Sequence, residues 1–177
     1  MKKDDPLRLA ASVQELFRKK GFTLSVAESC TGGFISHLIT SIAGASAFFE
    51  AGAVTYSADS KMRMLGVSER VLKNFGAVSA ETAAEMAARS RALLDTDFSL
   101  STTGNLGPDV LEGKERGLVY IGISSRTALE VRTLHLKGQR AENKEKAACR
   151  ALQFLLEAAS GVAASGHAAG GQDLGPL

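Results

Sequence analysis

The chain has 177 residues, 45% of them hydrophobic, which suits one compact domain or two small ones with a real core and excludes disorder throughout. Lys plus Arg number 21 against 19 Asp plus Glu, a balance too even to hold a polyanion, so nucleic acid is not an expected partner. Two cysteines, Cys30 and Cys149, cannot build a disulfide framework or a CxxC site, and the three histidines lie far apart, so neither metal nor cofactor is expected.

Met1 to Leu16 lacks the apolar core and small-residue cleavage site of a signal peptide, which predicts a cytoplasmic protein. Asp5 as N-cap, Pro6 at the first position and Leu9, Val13, Leu16 and Phe17 on one stripe predict a helix over 6–20, closed by Gly21. Phe22 to Ala27 reads as a first strand. Thr31 is placed to cap a second helix carrying Phe34, Ile35, Leu38, Ile39 and Ile42, which Gly44 ends. Although Ser29 to Phe49 holds no Asp, Glu, Lys or Arg, about half of it is Ser, Thr, Gly, His or Cys, so no membrane span is expected.

A strand is predicted at Gly52 to Tyr56, followed by a Ser57-capped turn with Lys61, Met62 and Leu65. Ser68 and Ser79 repeat that capping, the second opening an alanine-rich helix at 80–94 with Ala83, Met86, Ala87 and Leu94 as its apolar face. Phe98 to Thr102 reads as a central strand, and Leu118 to Ser124 with Ala128 to Leu136 as an antiparallel pair. A last helix spans about 140–159, packing through Ala148, Leu152, Leu155 and Leu156, and Cys149 belongs to its packed face. The reading is a single domain over 1–159, a three-layer α/β/α fold with a mixed, mainly parallel sheet and a C-terminal antiparallel hairpin, then a flexible Gly/Ala-rich tail at 160–177.

Ligands of such folds bind outside the carboxyl ends of strands, so three loops hold the candidate chemistry. Glu28-Ser29-Cys30-Thr31-Gly32-Gly33 offers two nucleophiles, a carboxylate and glycines whose N–H groups could face an oxyanion or phosphate. Tyr56 to Lys61 places a phenol at a strand end and an amine beyond it; a desolvated amine loses its proton and can activate a serine. Thr102 to Pro108 exposes Thr103, Gly104 and Gly107 beside the same edge. It is no P-loop, since Glu115 stands where Ser or Thr must bind magnesium.

Together these loops resemble the CinA C-terminal domain family, the nicotinamide-nucleotide amidohydrolases. The matching residues are AESCTGG at 27–33, IAGASAFFEAGAVTYS at 42–57 with Lys61, LGV at 65–67, GAVS at 76–79 and TG-x-x-GP at 103–108. The resemblance implies metal-free hydrolysis of the carboxamide of nicotinamide mononucleotide, with Ser29 and Lys61 as the catalytic pair and Gly138-x-Arg140 near the substrate, while the position of Tyr56 at the strand end is what suggests that it holds or relays the proton. Two departures stand out: Asp109 to Gly117 replaces the family's Gly-rich run and Lys-Pro-Val-Gly, and Asn143 replaces an expected arginine. A second arrangement uses Cys30 with Glu28 and Lys61, in the manner of nitrilases, and a third reading is a nucleotide sensor whose Lys61 pairs a phosphate. His37, His135 and His167 carry no partner motif. A homodimer is expected, with the alanine-rich helix and the segment 42–49 at a two-fold.

Overall fold

The computed structural model describes residues 5–109 and 112–163, so most of the expected tail lies outside the described residues. The elements run α1 (Pro6–Lys20), β1 (Leu24–Glu28), α2 (Phe34–Thr40), β2 (Phe49–Val54), α3 (Ala58–Ser60), α4 (Glu69–Phe75), α5 (Ala80–Leu94), β3 (Phe98–Gly104), β4 (Leu118–Ser125), β5 (Leu129–His135) and α6 (Arg140–Ser160). One sheet holds all five strands in the order β2-β1-β3-β4-β5. β1 pairs parallel with β2 and with β3, and the β3–β4 and β4–β5 pairs are antiparallel, so only β4 runs against the rest. Helices α1, α2 and α6 pack together on one face, and α5 covers the other.

The α1 boundaries are set locally. Asp5 accepts the Leu7 N–H at 3.1 Å, Pro6 supplies a fixed φ, and Gly21 closes the helix with φ 68 while Phe22 N–H returns to Phe17. That closure takes Phe22 out of the sheet, so β1 starts two residues later than its apolar pattern suggests. Phe22 instead joins Phe17, Phe48 and Phe98 in an aromatic group with ring centroids 5.0–5.8 Å apart.

On the other face, α5 lies close to β4. A Cβ on Gly122 would fall 2.6 Å from the Ala83 carbonyl, and the Ser101 hydroxyl bonds that carbonyl at 2.6 Å. The buried face of α5 is Thr82, Ala83, Met86, Ala87 and Ser90, while Leu94 is 40% exposed. Leu94 is the last helical residue before the left-handed Asp95, and it points away from the sheet that its spacing predicted.

Two further boundaries differ from expectation. α2 stops at Thr40, short of Ile42, and the chain passes through a 3₁₀ turn at Ala45–Ala47. β2 spans Phe49–Val54 because its register follows β1, from Leu24 opposite Phe49 to Glu28 opposite Val54. Tyr56 is therefore beyond the strand.

Register also builds the candidate site. Glu28 lies opposite both Val54 and Thr102, so the carboxyl ends of three parallel strands finish at one edge and deliver their three loops together. The ladder continues through Ser29 N–H to Thr102 carbonyl at 2.9 Å and Thr55 N–H to Glu28 carbonyl at 2.8 Å.

Candidate active site

After β1 the chain turns sharply into α2, and the turn is held by Glu28. Its carboxylate is fully buried and accepts the N–H groups of Gly33, Ile35 and Ser36 at 2.9–3.1 Å and the Ser36 hydroxyl at 2.8 Å. These are the orphan donors of the first turn of α2, and a carboxylate there also meets the positive end of the helix. The expected cap, Thr31, is elsewhere: its hydroxyl shares a 2.7 Å bond with Thr102, and Gly33 is the N-cap with φ 89. Glu28 thus lies behind the loop and does not line the recess in front of it.

Ser57 and Ser60 form a reciprocal capping box that starts α3. The helix then widens into a π turn over Lys61–Leu65, closed by Gly66. The turn carries Lys61 inward, where its side chain has 0% exposure. Nζ donates to Ser29 Oγ at 2.9 Å and to the Thr55 carbonyl at 2.8 Å. Both acceptors are neutral. Burial lowers the Lys61 pKa from 10.5 to about 8, so a usable fraction of the amine is unprotonated near neutral pH.

Ser29 and Lys61 line an open recess of about 440 Å³ with Cys30, Tyr56, Ala77, Val78, Thr103, Gly104, Asn105, Leu106 and Arg140. Cys30 neighbours the pair, but burial pushes its thiol up to about 12, which leaves it protonated and weakly nucleophilic. Thr103 donates its hydroxyl to the Ala77 carbonyl at 2.6 Å. Arg140, the first residue of α6, donates to the Tyr56 hydroxyl at 2.6 Å and to the Gly107 carbonyl, so one guanidinium joins two of the loops at the mouth.

Of the sequence-predicted residues, Ser29, Cys30, Tyr56, Lys61, Thr103, Gly104 and Arg140 are brought to this recess. Glu28, Thr31, Gly32, Gly33 and Gly107 are not among its lining residues. The Gly32 N–H is bonded to the Ser29 carbonyl at 3.0 Å and that of Gly33 to Glu28, so neither faces the recess as an anion donor. Gly104 is needed for close approach, because a Cβ there would fall 2.6 Å from the Leu118 carbonyl.

Asn143, read as a lost phosphate ligand, is fully buried. It accepts the Gly138 N–H at 2.9 Å and donates to the Gly138 and Leu106 carbonyls, so it shapes the entry to α6. Three residues escaped the sequence reading. Lys144 lies one turn beyond Arg140, with Nζ 3.5 Å from where a Gly32 Cβ would be; the i,i+4 spacing was its signal. Asn105 organises the loop after β3, donating to the Asp109 and Lys114 carbonyls and accepting from Gly107 N–H. Glu112 bonds the Ala77 and Val78 amides. Among the described residues, no group of three His, Cys, Asp or Glu is placed to hold a metal ion, and no helix is long and apolar enough to cross a membrane.

Fold and site together define a three-layer α/β protein in which loops at one sheet edge enclose a buried serine hydroxyl and lysine amine. The sequence profile of the CinA C-terminal domain matches residues 7–159, and the chain belongs to that family. A relative in Caldicellulosiruptor saccharolyticus, named for competence-damage induction, is 44% identical over 152 residues, covering 85% of this chain and 37% of its own length. A CinA-like protein of Geobacter sulfurreducens is 42% identical over 145 residues, covering 81% of this chain and 35% of its own. This chain therefore spans little more than a third of these relatives. The crystal structure of a competence or damage-inducible protein from Enterobacter asburiae superposes with a TM-score of 0.86 at 33% identity, over 89% of this chain and 99% of that one. That of CihA from Agrobacterium tumefaciens gives 0.83 at 34% identity, over 89% and 98%.

Proposed function

We propose that this chain hydrolyses the carboxamide of a pyridine nucleotide, releasing ammonia from nicotinamide mononucleotide through a Ser29 acyl-enzyme. The observation that carries the reading is the 2.9 Å bond between the fully buried Lys61 amine and the Ser29 hydroxyl, with burial lowering the amine's proton affinity. A base within hydrogen-bond reach of an alcohol, and itself easily deprotonated, is the arrangement that nucleophilic catalysis needs.

Neutral Lys61 accepts the Ser29 proton as Oγ attacks the amide carbon, and the carbonyl oxygen becomes the tetrahedral oxyanion. With the Gly32 and Gly33 amides already committed and Thr31 outside the lining, the amide of Cys30, the loop residue that lines the recess after Ser29, is the donor assigned to receive it. Collapse breaks the C–N bond, and the Lys61 proton leaves with ammonia. Water then attacks the ester, giving one proton to Lys61, which returns it to Ser29 Oγ as the acid departs. Thr103 and Tyr56, both in the lining, orient the amide, and the cations Arg140 and Lys144 supply charge for a phosphate.

The Cys30 arrangement has less support, since the thiol stays protonated and the Glu28 oxygens are taken by α2. The test is ammonia release from nicotinamide mononucleotide by the purified chain. Turnover by the native protein and a loss of about a thousandfold or more in Ser29→Ala are expected. Binding without ammonia, or near-native turnover by Ser29→Ala, overturns the reading; full activity of Cys30→Ala is expected.

A further inference from the structure

Glu112 lies in the connection after β3, where this sequence departs from the family pattern. Its two carboxylate oxygens accept the N–H groups of Ala77 and Val78, each at 3.2 Å. Both residues line the recess, and the Ala77 carbonyl also receives the Thr103 hydroxyl. Glu112 therefore grips a segment of the lining that the serine and lysine share, and through Ala77 it bears on Thr103. The fit is close: a Cβ on Gly76 would fall 2.4 Å from Glu112 Oε2, and Gly76 has φ 82. Glu112 itself holds φ 51, a left-handed backbone uncommon for a residue with a side chain, and its bonds to two amides keep it there.

Helix α5 packs on the Lys61–Leu65 turn, and its Glu85 carboxylate is taken by the Ser68 hydroxyl and Arg89; other ionisable groups come from the loops. Cys30 follows β1, Tyr56 follows β2, Glu112 follows β3 and Arg140 opens α6, while the segment before α5 contributes only Ala77 and Val78. Cys30 is neutral because burial keeps its thiol protonated, and Arg140 and Tyr56 are bonded to each other at the mouth. Glu28 turns its carboxylate to α2. Glu112 is then the charged group that favours the protonated form of Lys61, against the burial that disfavours it.

We propose that Glu112 is a positioning residue for the Ser29–Lys61 pair, one whose carboxylate fixes the recess lining at Ala77 and Val78 and sets a negative charge against it. The proposal rests on reading Lys61 as the base of this pocket. A base that takes a proton from serine must keep it until ammonia departs, and a fixed anion nearby favours that intermediate ammonium. The divergent loop thereby acquires a task in the chemistry through an amide clamp on the lining of the nucleophile's recess.

The test titrates Lys61 directly, by NMR of the full chain labelled with ¹³C at lysine Cε, with its signal assigned by loss in Lys61→Met. Glu112→Gln is expected to move the Lys61 midpoint to lower pH and the acid limb of ammonia release with it. Glu112→Asp is expected to keep the midpoint near native and lower kcat several-fold, because the shorter arm cannot reach both amides. An unmoved midpoint in folded Glu112→Gln, or native kcat in Glu112→Asp, overturns the proposal, and the second holds even if the Gln variant does not fold. If the native chain releases no ammonia while the midpoint still falls in Glu112→Gln, the amidase reading fails and the role of Glu112 stands.

Discussion

Burying an amine among neutral acceptors is unfavourable, and Lys61 carries that cost. Its partners are a hydroxyl and a carbonyl, and neither compensates a full charge taken from water. The lowered proton affinity expresses the same cost. Below about pH 8 both the folded and the unfolded chain hold the proton, so the cost is present in full. Between about 8 and 10.5 the folded protein has released it while the unfolded chain still binds it, so stability rises with pH across that window. The whole effect is worth on the order of 3 kcal/mol. Lys61→Met is therefore expected to be inactive yet more stable at pH 7 by about 1–3 kcal/mol, part of the gain being lost with the Thr55 carbonyl's partner. Urea unfolding at pH 7 and pH 10 checks this: the advantage should shrink as pH rises. Turnover of the native chain should follow the same proton in the opposite sense, increasing through about pH 8 as the amine becomes a base.

At the scale of elements, the turn from β1 into α2 shows what sequence patterns reveal and what they hide. Ser57, Ser68 and Ser79 cap helices as their spacing predicts, because each acceptor lies three residues from the amide it serves. Glu28 caps α2 from five to eight residues upstream, across a glycine turn, and no local rule detects that reach. Its acidic side chain in a loop with two nucleophiles suggested chemistry, whereas all four of its bonds go to the first turn of α2. The three strand-end loops were legible as a group because alternating strands and helices fix the edge they share. The inward turn of Lys61 was not, since it needs a π turn closed by Gly66 in the left-handed region. Glu28→Gln tests the distinction, as an amide nitrogen cannot accept and two of the four bonds are lost. We expect a loss of about 2–4 kcal/mol in unfolding free energy. A substrate ligand would instead raise KM with stability unchanged.

Over the whole molecule, the site is an agreement among segments far apart in sequence, and Arg140 is where they meet. Its guanidinium, at the start of α6, reaches the Tyr56 hydroxyl after β2 and the Gly107 carbonyl after β3. Asn143, one turn along, anchors the same entry through Gly138 and Leu106, so Arg140 is aimed by buried bonds beneath it. Both of its present acceptors are neutral, and a phosphate offers stronger, charge-assisted bonds in their place. Tyr56 is 59% exposed and Arg140 sits at the mouth, so their bond can open without disturbing the core. Arg140→Ala is therefore expected to leave the thermal unfolding midpoint within a few degrees of native. KM for nicotinamide mononucleotide should rise about tenfold or more, with a smaller effect on kcat, because a remote binding contact is lost while the serine and lysine stay in place. The corresponding nucleoside, which lacks the phosphate, separates two origins for that loss. If Arg140 binds phosphate, its removal should leave the nucleoside's kcat/KM nearly unchanged. An equal fall for both would instead make the arginine a tie between loops, with its bonds to Tyr56 and Gly107 as the whole of its contribution.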